Sequence, residues 1–509
     1  MKHYKTFSFL IIGAALLIQL SACKKQLSEI RPQDAISKDQ VLSDPNAAVT
    51  LYNGMYGLFR SYTATFFQLG EGRSDIWTDG LFTESADGTY QTLSRQNISA
   101  LNVPFNNWAN FYNLIYNINN VIALFPQTKL SQSDKDRMMA EAYGLRAYVY
   151  YTMLRTWGDV PLTTDPVQSI NNAAETYKAR TSADSVMAQV KSDIEKSLQL
   201  FGPSNTIPTG KRVYWNRIAT LVLKGDVNLW SGTNMNGGAT DFTTAKTALQ
   251  EVESLQGPTL QLDANYADIF DPSKKSNNPE IIFAINYEIG QSTMGVFSSF
   301  QVNNIQASTL SLAQAPTPVV STAYPYVNGA NRVGMTQAMI NRLTTGPADQ
   351  RIAGSFKILY SNTSPYAVRG VLLTKWLGST SGTSQVYNND YPVYRYADVL
   401  LLMAEAKAKL GEDPSFEINQ IRQRAYGSGY TPYVNGSIDQ NLNAILEEYL
   451  REFIGEGRRW WALRRAGDQY VYANINPAYL SPTSTAKLLL PISMSMLNND
   501  PLLKQTPGY

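Results

Sequence analysis

Apolar side chains recur every three or four positions along much of this chain, a spacing typical of amphipathic helices packed on a core. The first such stretch, 45–58, follows Asp44, which suits a helix cap, and starts with Pro45, which suits a first helical position. Similar stretches cover 108–126, 138–157, 186–201, 218–234 and 242–255. We therefore predict a mainly α-helical protein.

The last third of the chain has the same helical spacing. One predicted helix covers 396–410 and stops at Gly411, a residue type common at helix ends, and the next begins at Pro414. Two helices joined by so short a turn predict a helical hairpin, which resembles a tetratricopeptide unit. A further stripe predicts a long helix from Leu442 continuing toward Leu463.

Other stretches lack the helical period. Residues 63–104 combine four glycines with several aromatic rings, so we predict a functional loop there. The β-branched run Ile281–Ile285 predicts a strand, and the Ser-, Thr- and Asn-rich stretch that follows predicts loops and short strands, including 371–376. The tail, 491–509, predicts no regular element.

The N-terminus carries the features of an export signal. Lys2 and Lys5 precede an apolar run, 7–20, that is too short to span a bilayer, since about 20 apolar residues are needed. The following Leu-Ser-Ala-Cys ends at Cys23 and resembles a bacterial lipobox. That resemblance implies that residues 1–22 are removed and that Cys23 is acylated and anchors the protein to a membrane. The alternative is a plain signal peptide with an incidental cysteine.

The amino-acid composition then excludes several classes of function. Removal of 1–22 takes away two of the 43 lysines and arginines and leaves 41 basic against 41 acidic residues, so nucleic acid is not an expected partner. It also removes His3, the single histidine, while Cys23 is the single cysteine. We therefore predict no His-containing metal site, no disulfide and no Ser-His-Asp or Cys-His catalysis. We also expect no metal site of another kind and no cofactor. Enzymes built on Asp/Glu pairs, Ser-Lys or Tyr remain open.

Several motifs, together and in order, resemble the SusD/RagB family of outer-membrane nutrient-binding lipoproteins. Besides the lipobox, they are the stretches 141–151 (EAYGLRAYVYY), 158–162 (GDVPL), 394–406 (YRYADVLLLMAEA), 445–461 and 490–509. The chain departs from the family pattern at Tyr449, Leu450 and Ala462. Lys24 and Lys25 also follow Cys23 where the family commonly has acids, so cell-surface display is inferred from the partner rather than from the anchor.

The resemblance implies a tetratricopeptide-like helical scaffold with a loop-rich, partly β ligand-binding region. It implies a non-catalytic binding protein for glycans, or for peptides or other nutrients, with no cofactor. It also implies a SusC-like TonB-dependent transporter as partner, over which the protein would sit as a lid at the outer membrane. We predict a signal peptide at 1–22, an N-terminal helical region at 23–255 and a C-terminal region at 256–509 with a loop-rich segment at 286–390.

The way in which proteins bind sugars indicates which residue types a binding site would contain. Aromatic faces pack on the C–H face of a sugar, and Asp, Asn, Gln and Arg bond its hydroxyl groups, on loops held by a rigid scaffold. The candidates in this chain are Arg73, Asp75, Trp77, Asp79, Phe82 and Tyr90 in one segment, and Tyr324, Tyr326 and Asn328 in another. For each ring, local packing is the alternative.

Two further hypotheses stay open at this point. Glu452, Glu456 and Arg459 lie at helical spacings of four and three, so the carboxylates would share one face and form an acid–base pair of a glycosidase. The same spacing also suits a structural ion pair, which we favour. Alternatively, the protein is a structural lid with no ligand of its own.

Overall fold

Nineteen α-helices and nine short strands occupy the residues described by the computed structural model, which are 36–80, 87–167, 172–206 and 209–509. The predicted mainly α-helical fold is therefore confirmed. Cys23 and the predicted signal at 1–22 lie outside the described residues. Within the described ranges, no helix is both long and apolar enough to cross a membrane.

Nine helices form the first half of the described chain. They are α1 Lys38–Ser43, α2 Pro45–Ser61, α3 Thr63–Glu71, α4 Gly88–Ser94, α5 Ala109–Leu124, α6 Gln132–Trp157, α7 Ala183–Phe201, α8 Arg217–Asn234 and α9 Gly238–Glu253. The Asp44 carboxylate accepts a hydrogen bond from the Asn46 N–H, 2.9 Å away, and so caps α2 as predicted. From α5 onward each helix packs on the next one along the chain, and α9 packs in turn on a helix of the C-terminal half.

Helix α3 corrects the prediction of an irregular segment from residue 63. Its residues Phe66, Phe67, Leu69, Gly70 and Glu71 are all buried, so the helix is enclosed on most of its sides. Its partly exposed face is limited to Ala64, Thr65 and Gln68, so over so short a helix the alternation that identifies an amphipathic helix is weak.

The middle of the chain contains four short helices and most of the strands. Strand β1, Trp77–Asp79, lies earlier in the chain, between α3 and α4. The elements of the middle region are β2 Ile281–Ile285, α10 Asn304–Ser308, β3 Leu310–Ser311, α11 Val320–Ala323, β4 Val333–Met335, α12 Gln337–Thr344, α13 Gln350–Ser355, β5 Phe356–Ser361, β6 Val368–Leu373, β7 Ser379–Ser381, β8 Ser384–Val386 and β9 Tyr391–Arg395. All pairings are antiparallel: β1 with β4, β2 with β9, β5 between β3 and β6, and β7 with β8. The predicted strand at 281–285 is confirmed.

Six helices form the C-terminal part. They are α14 Tyr396–Lys409, α15 Ser415–Tyr426, α16 Ile438–Glu452, α17 Arg459–Ala466, α18 Asp468–Asn474 and α19 Met494–Asn499. The predicted turn after α14 is confirmed, because Gly411 has φ +74°, a left-handed conformation that favours glycine. The tail, predicted to be irregular, contains the short helix α19.

The predicted long helix from Leu442 toward Leu463 is wrong. Helix α16 ends at Glu452, and α17 begins at Arg459. The linking loop contains Gly455 and Gly457 with φ of +79° and +72°, so the backbone turns where an uninterrupted helix would need negative φ.

A buried ion network fixes this loop. The Arg395 guanidinium, at the end of β9, bonds the carboxylates of Glu280, Glu452 and Glu456, and all four side chains are fully buried. The Glu456 carboxylate is 2.9 Å from Nε of Arg395 and 2.8 Å from Nζ of Lys375. Charges removed from water in this way are tolerated only when they are paired and hydrogen-bonded.

Glu71 on α3 binds the same loop. Its carboxylate accepts hydrogen bonds from the N–H groups of Gly455 and Gly457, each at 2.7 Å, and from Nε1 of Trp77 at 2.8 Å. Burial raises the pKa of the Glu71 carboxyl to about 7, although these donors and Lys375 act in the opposite direction. Helix α3, strand β1 and the loop after α16 therefore meet at one buried carboxyl group.

We expect Arg395→Met to destabilise the protein by about 3–5 kcal/mol, because three buried carboxylates would lose their shared cation. Urea unfolding of the purified full chain measures this loss. Lys246→Met is the control, since the Lys246–Glu412 pair is partly exposed and its loss should cost less than about 1 kcal/mol. Equal stability losses in the two variants would contradict the proposed importance of the network.

The raised pKa of Glu71 predicts a specific pH dependence. The unfolded carboxyl has a pKa of about 4.3, so the folded state binds its proton more tightly and the resulting stabilisation is complete only below that pH. It is lost as pH rises through the folded pKa of about 7. Between pH 6 and 8 the loss should be about 1 kcal/mol.

The matched variant is Glu71→Gln, which does not titrate. Urea unfolding at pH 6 and pH 8 should show wild type losing about 1 kcal/mol more than the variant over this interval, since all other titrating groups are shared. Parallel pH curves for the two proteins would show that Glu71 does not titrate in this range.

Candidate functional site

An open cleft lies beside strand β1, where the sequence predicts ligand contacts. The antiparallel pairing of Trp77 with Met335 joins β1 to β4 and brings helix α12 to one wall, and the end of α18 and the residues after it form another. Its volume is about 450 Å³. The lining residues of this Asp75 cleft are Ser74, Asp75, Trp77, Thr78, Ser94, Arg95, Thr336, Ala338, Met339, Arg342, Asn474, Ile475, Asn476 and Tyr479.

Asp75 is held between two arginines. Its Oδ1 is 2.8 Å from Nε of Arg459, its Oδ2 is 2.9 Å from Nη2 of the same residue, and Nη1 of Arg342 lies 3.2 Å from Oδ2. Burial disfavours the charged carboxylate, but Arg459, and then Arg342, hold the pKa of Asp75 below its usual value. Asp75 is therefore a fixed anion with its orientation set.

Arg342 brings a cation to the cleft. Its side chain is 35 % exposed and also pairs with Glu447. Arg451 donates hydrogen bonds to the backbone oxygens of Arg342 and Leu343, at 3.0 and 2.9 Å, and so holds the C-terminal turn of α12. A cation at this end of a helix also complements the helix dipole. The guanidinium of Arg342 is therefore presented from an anchored helix.

Tyr479 is the exposed ring of the cleft, with 38 % of its surface accessible. It follows the turn at Asn476, whose side chain accepts a hydrogen bond from the N–H of Ala478. Asn474 stands nearby, and its Oδ1 is 2.9 Å from Nη2 of Arg459. One accessible aromatic face thus stands beside ordered amide and guanidinium groups.

Arg73 and Trp77 lie inside the protein rather than at its surface. Arg73 is 2 % exposed, donates to Gln96 and to the backbone oxygens of Lys487 and Leu488, and lies 4.2 Å above the ring of Trp460. Burial lowers the pKa of Arg73 to about 9. Trp77 lines the cleft but is only 4 % exposed.

The other predicted members of this segment have different surroundings. Tyr90 is buried, with its ring 5.5 Å from that of Phe300. Asp79 is paired with Arg95, which lines the cleft with a half-exposed side chain. Phe82 lies outside the described residues. Of the six predicted residues, Asp75 and Trp77 line the cleft, while the ligand contact of each stays a prediction.

The second predicted group lies apart from this cleft. Tyr324 and Tyr326 line a shallow cavity of about 410 Å³ with Leu377 and Gln385 near the β7–β8 hairpin. Tyr326 and Asn328 are both exposed, Tyr326 by 39 %, but Asn328 does not line the cavity. The structure therefore brings the two tyrosines together and leaves Asn328 outside.

Sequence reasoning missed most of the polar residues that line the Asp75 cleft, among them Arg342, Asn474 and Asn476, and it also missed Tyr479. The Asn-Pro pair at 476–477, a turn signal followed by a tyrosine, was the one local indication available. The position of Arg342 depends on pairing between β1 and β4, which no local pattern reveals.

The structure does not support an acid–base pair at Glu452 and Glu456. Both side chains are fully buried and paired with Arg395. They belong to no common helical face, because α16 ends at Glu452, and Arg459 pairs with Asp75 instead. Burial opposes ionisation, yet Arg424 and Arg395 hold the pKa of Glu452 below its usual range, which suits a structural anion. Neither glutamate can reach a ligand.

Two family models match parts of the chain. The model described as "SusD family" matches residues 359–509, and the model described as "Starch-binding associating with outer membrane" matches residues 35–211. The second match contains Asp75 and Trp77, and the first contains Asn474 and Tyr479. The Asp75 cleft therefore draws residues from both matched regions.

Solved and curated proteins resemble the chain, some over nearly its whole length and others over a part of it. B. fragilis NanU is 34 % identical, with a TM-score of 0.83, over 94 % of this chain and all of that one. The SusD-like protein P38 of Formosa agariphila is 25 % identical over the full length of both chains. The starch-binding protein SusD of Bacteroides thetaiotaomicron is 31 % identical over 151 residues, 28 % of this chain and 26 % of its own. This chain belongs to the SusD family.

Proposed function

We propose that this protein is a non-catalytic carbohydrate-binding protein of the outer membrane that serves nutrient uptake. The observation that carries the proposal is the Asp75 cleft, in which the exposed ring of Tyr479 stands beside Asn474, Asn476 and Arg342. The family description, starch binding in association with the outer membrane, supports the same class of ligand.

The chemistry of the cleft suits a sugar. The face of Tyr479 offers an apolar surface to the C–H groups of a sugar ring, and the surrounding amide and guanidinium groups can donate to hydroxyl oxygens. Asp75 and Arg342 are already held by ion pairs with Arg459 and Glu447. A ligand would therefore meet groups whose positions are fixed, so less conformational entropy is lost on binding.

Catalysis is not part of the proposal. Among the described residues that line the cleft, Asp75 is the one carboxylate, and it is bonded to two arginines. Canonical glycoside hydrolysis uses two carboxyl groups about 5–9.5 Å apart on either side of the bond. The depressed pKa of Asp75 also makes it a poor general acid.

We further propose that the protein is anchored by lipid at Cys23 and delivers its ligand to a SusC-like TonB-dependent transporter. The lipobox-like sequence before Cys23 supports the anchor, and the family membership supports the partner. We also propose the division of the chain predicted from its sequence, into an N-terminal region at 23–255 and a C-terminal region at 256–509.

Replacing the proposed anchor residue tests the location. In cells expressing the full chain, we expect Cys23→Ser to abolish incorporation of radiolabelled palmitate and to shift the protein out of the outer-membrane fraction, because the acyl chains supply the membrane affinity. Ser21→Ala serves as the control with an unchanged cysteine. A variant that remains in the outer membrane without label would contradict the lipid anchor.

Replacing Tyr479 tests the site. We expect Tyr479→Ala to weaken binding of the recognised glycan at least tenfold, since loss of one buried ring contact costs about 1.5–3 kcal/mol. Isothermal titration against neutral and acidic polysaccharides and a mixed peptide pool measures this. The matched control is Tyr214→Ala, a tyrosine 49 % exposed outside the cleft. Tyr326→Ala tests the second predicted group in the same titration.

Three results would oppose the proposal. Binding of peptides but no glycan would favour a peptide-binding protein on this scaffold. Release of shortened sugars from a bound glycan would show an enzyme. Unchanged glycan affinity in Tyr479→Ala would remove the Asp75 cleft as the binding site.

A further inference from the structure

A further concave site lies along helix α5, apart from the Asp75 cleft and from the cavity at Tyr324 and Tyr326. Three rings follow one face at four-residue steps: Trp108, Tyr112 and Tyr116. Residues from 161–167 form the facing wall, and Lys178 and Asp500 also line the site. This Tyr116 cleft has a volume of about 270 Å³ and shares no lining residue with the Asp75 cleft.

Contacts with neighbouring residues hold the rings of Trp108 and Tyr112 in place in this cleft. Trp108 packs edge-on against Trp157, with ring centroids 5.9 Å apart, and lies 6.1 Å from Tyr112. The Tyr112 hydroxyl donates to the backbone oxygen of Pro161 and ties α5 to the facing wall. Tyr116 keeps 43 % of its surface accessible. A ligand would meet a fixed aromatic floor with one exposed ring.

The rim of the cleft is polar. The N–H of Lys178 donates to the Asp500 carboxylate at 2.9 Å, and Nζ of Lys178 donates to the Thr163 hydroxyl at 3.2 Å. An ammonium group has three N–H donors, and carboxylates accept several hydrogen bonds, so both groups retain capacity for hydroxyls. With Asp165 and Glu175 also at the rim, acidic residues outnumber the lysine.

An extended peptide is a poor fit here, because peptides commonly bind by adding a strand to free backbone groups. Several backbone groups of the facing wall are already bonded within the protein. The oxygens of Pro161, Thr163 and Thr164 accept from side chains of α5 and α6, and the Thr163 N–H donates to the Tyr150 hydroxyl. The site can offer ring faces and side-chain polar groups, which suit a sugar.

We infer that the Tyr116 cleft is a second carbohydrate subsite that takes an uncharged sugar unit. Ring faces on the floor match the C–H side of a sugar, and the mixed rim matches its hydroxyl groups. The excess of carboxylates repels a carboxylated or sulfated sugar. The inference rests on the proposed function and adds a second point of contact with the ligand.

The test uses affinity gel electrophoresis of the full chain in gels containing soluble starch, galactomannan, mixed-linkage β-glucan, pectin or chondroitin sulfate. We compare wild type, Tyr116→Ala, Lys178→Ala, Tyr479→Ala and the double variant Tyr116→Ala/Tyr479→Ala. Asn113→Ala, an exposed change on α5 outside the cleft, is the control. Thermal midpoints of all variants check that folding is preserved.

We expect Tyr116→Ala and Lys178→Ala each to weaken binding to the neutral polysaccharide that wild type recognises by about three- to tenfold, since a 1.4 kcal/mol loss is tenfold. Tyr479→Ala should keep residual retardation that the double variant loses, while Asn113→Ala should match wild type.

Unchanged binding in Tyr116→Ala and Lys178→Ala, together with complete loss in Tyr479→Ala, would overturn the second subsite. Retardation of wild type by pectin or chondroitin sulfate alone would overturn the uncharged ligand. No retardation by any glycan would instead overturn the proposed function.

Discussion

The charge pairing around Arg395 determines how distant parts of this chain meet. Arg395 ends β9, Glu280 precedes β2, and Glu452 and Glu456 end α16 and occupy the loop after it. Buried charges of this kind allow few alternative arrangements, because a shifted partner leaves an unpaired charge in the interior. Glu456 stands between Gly455 and Gly457, whose N–H groups bond Glu71. The network thus fixes the loop that holds Glu71, and Glu71 holds Trp77 at the Asp75 cleft.

The same kind of long-range pairing builds the cleft. Arg459 reaches Asp75 across 384 positions of sequence, and Arg342 reaches it across 267. Neither pair exists before the chain has folded, so the cleft depends on the completed fold rather than on any local segment. In return, its polar groups are oriented before a ligand arrives, which reduces the entropy lost on binding.

Because the cleft depends on long-range pairing, the sequence could predict only those features that have a local signal. Amphipathic helices such as α5 and α7 show their period directly, and Asp44 and Gly411 mark helix boundaries through local chemistry. Helix α3 is short and mostly enclosed, so its signal is weak. The break after Glu452 depends on two glycines in left-handed conformations, whose N–H groups bond the distant carboxylate of Glu71. At the site, the sequence placed Asp75 and Trp77 in the right segment but could not reveal Arg342 or Tyr479, whose positions follow from tertiary pairing.

The arrangement of the two clefts bears on the kind of ligand that the protein would hold. Arg95 lines the first cleft and Trp108 borders the second, so a single short segment connects them. Each cleft presents one well-exposed tyrosine, and a contact of that size alone gives weak binding. A polysaccharide chain that reached both would make its second contact within the same complex, at an effective concentration in the millimolar range when the spacing fits. Two modest subsites would then favour a polymer over its single sugar units, which would dissociate readily once the chain is shortened.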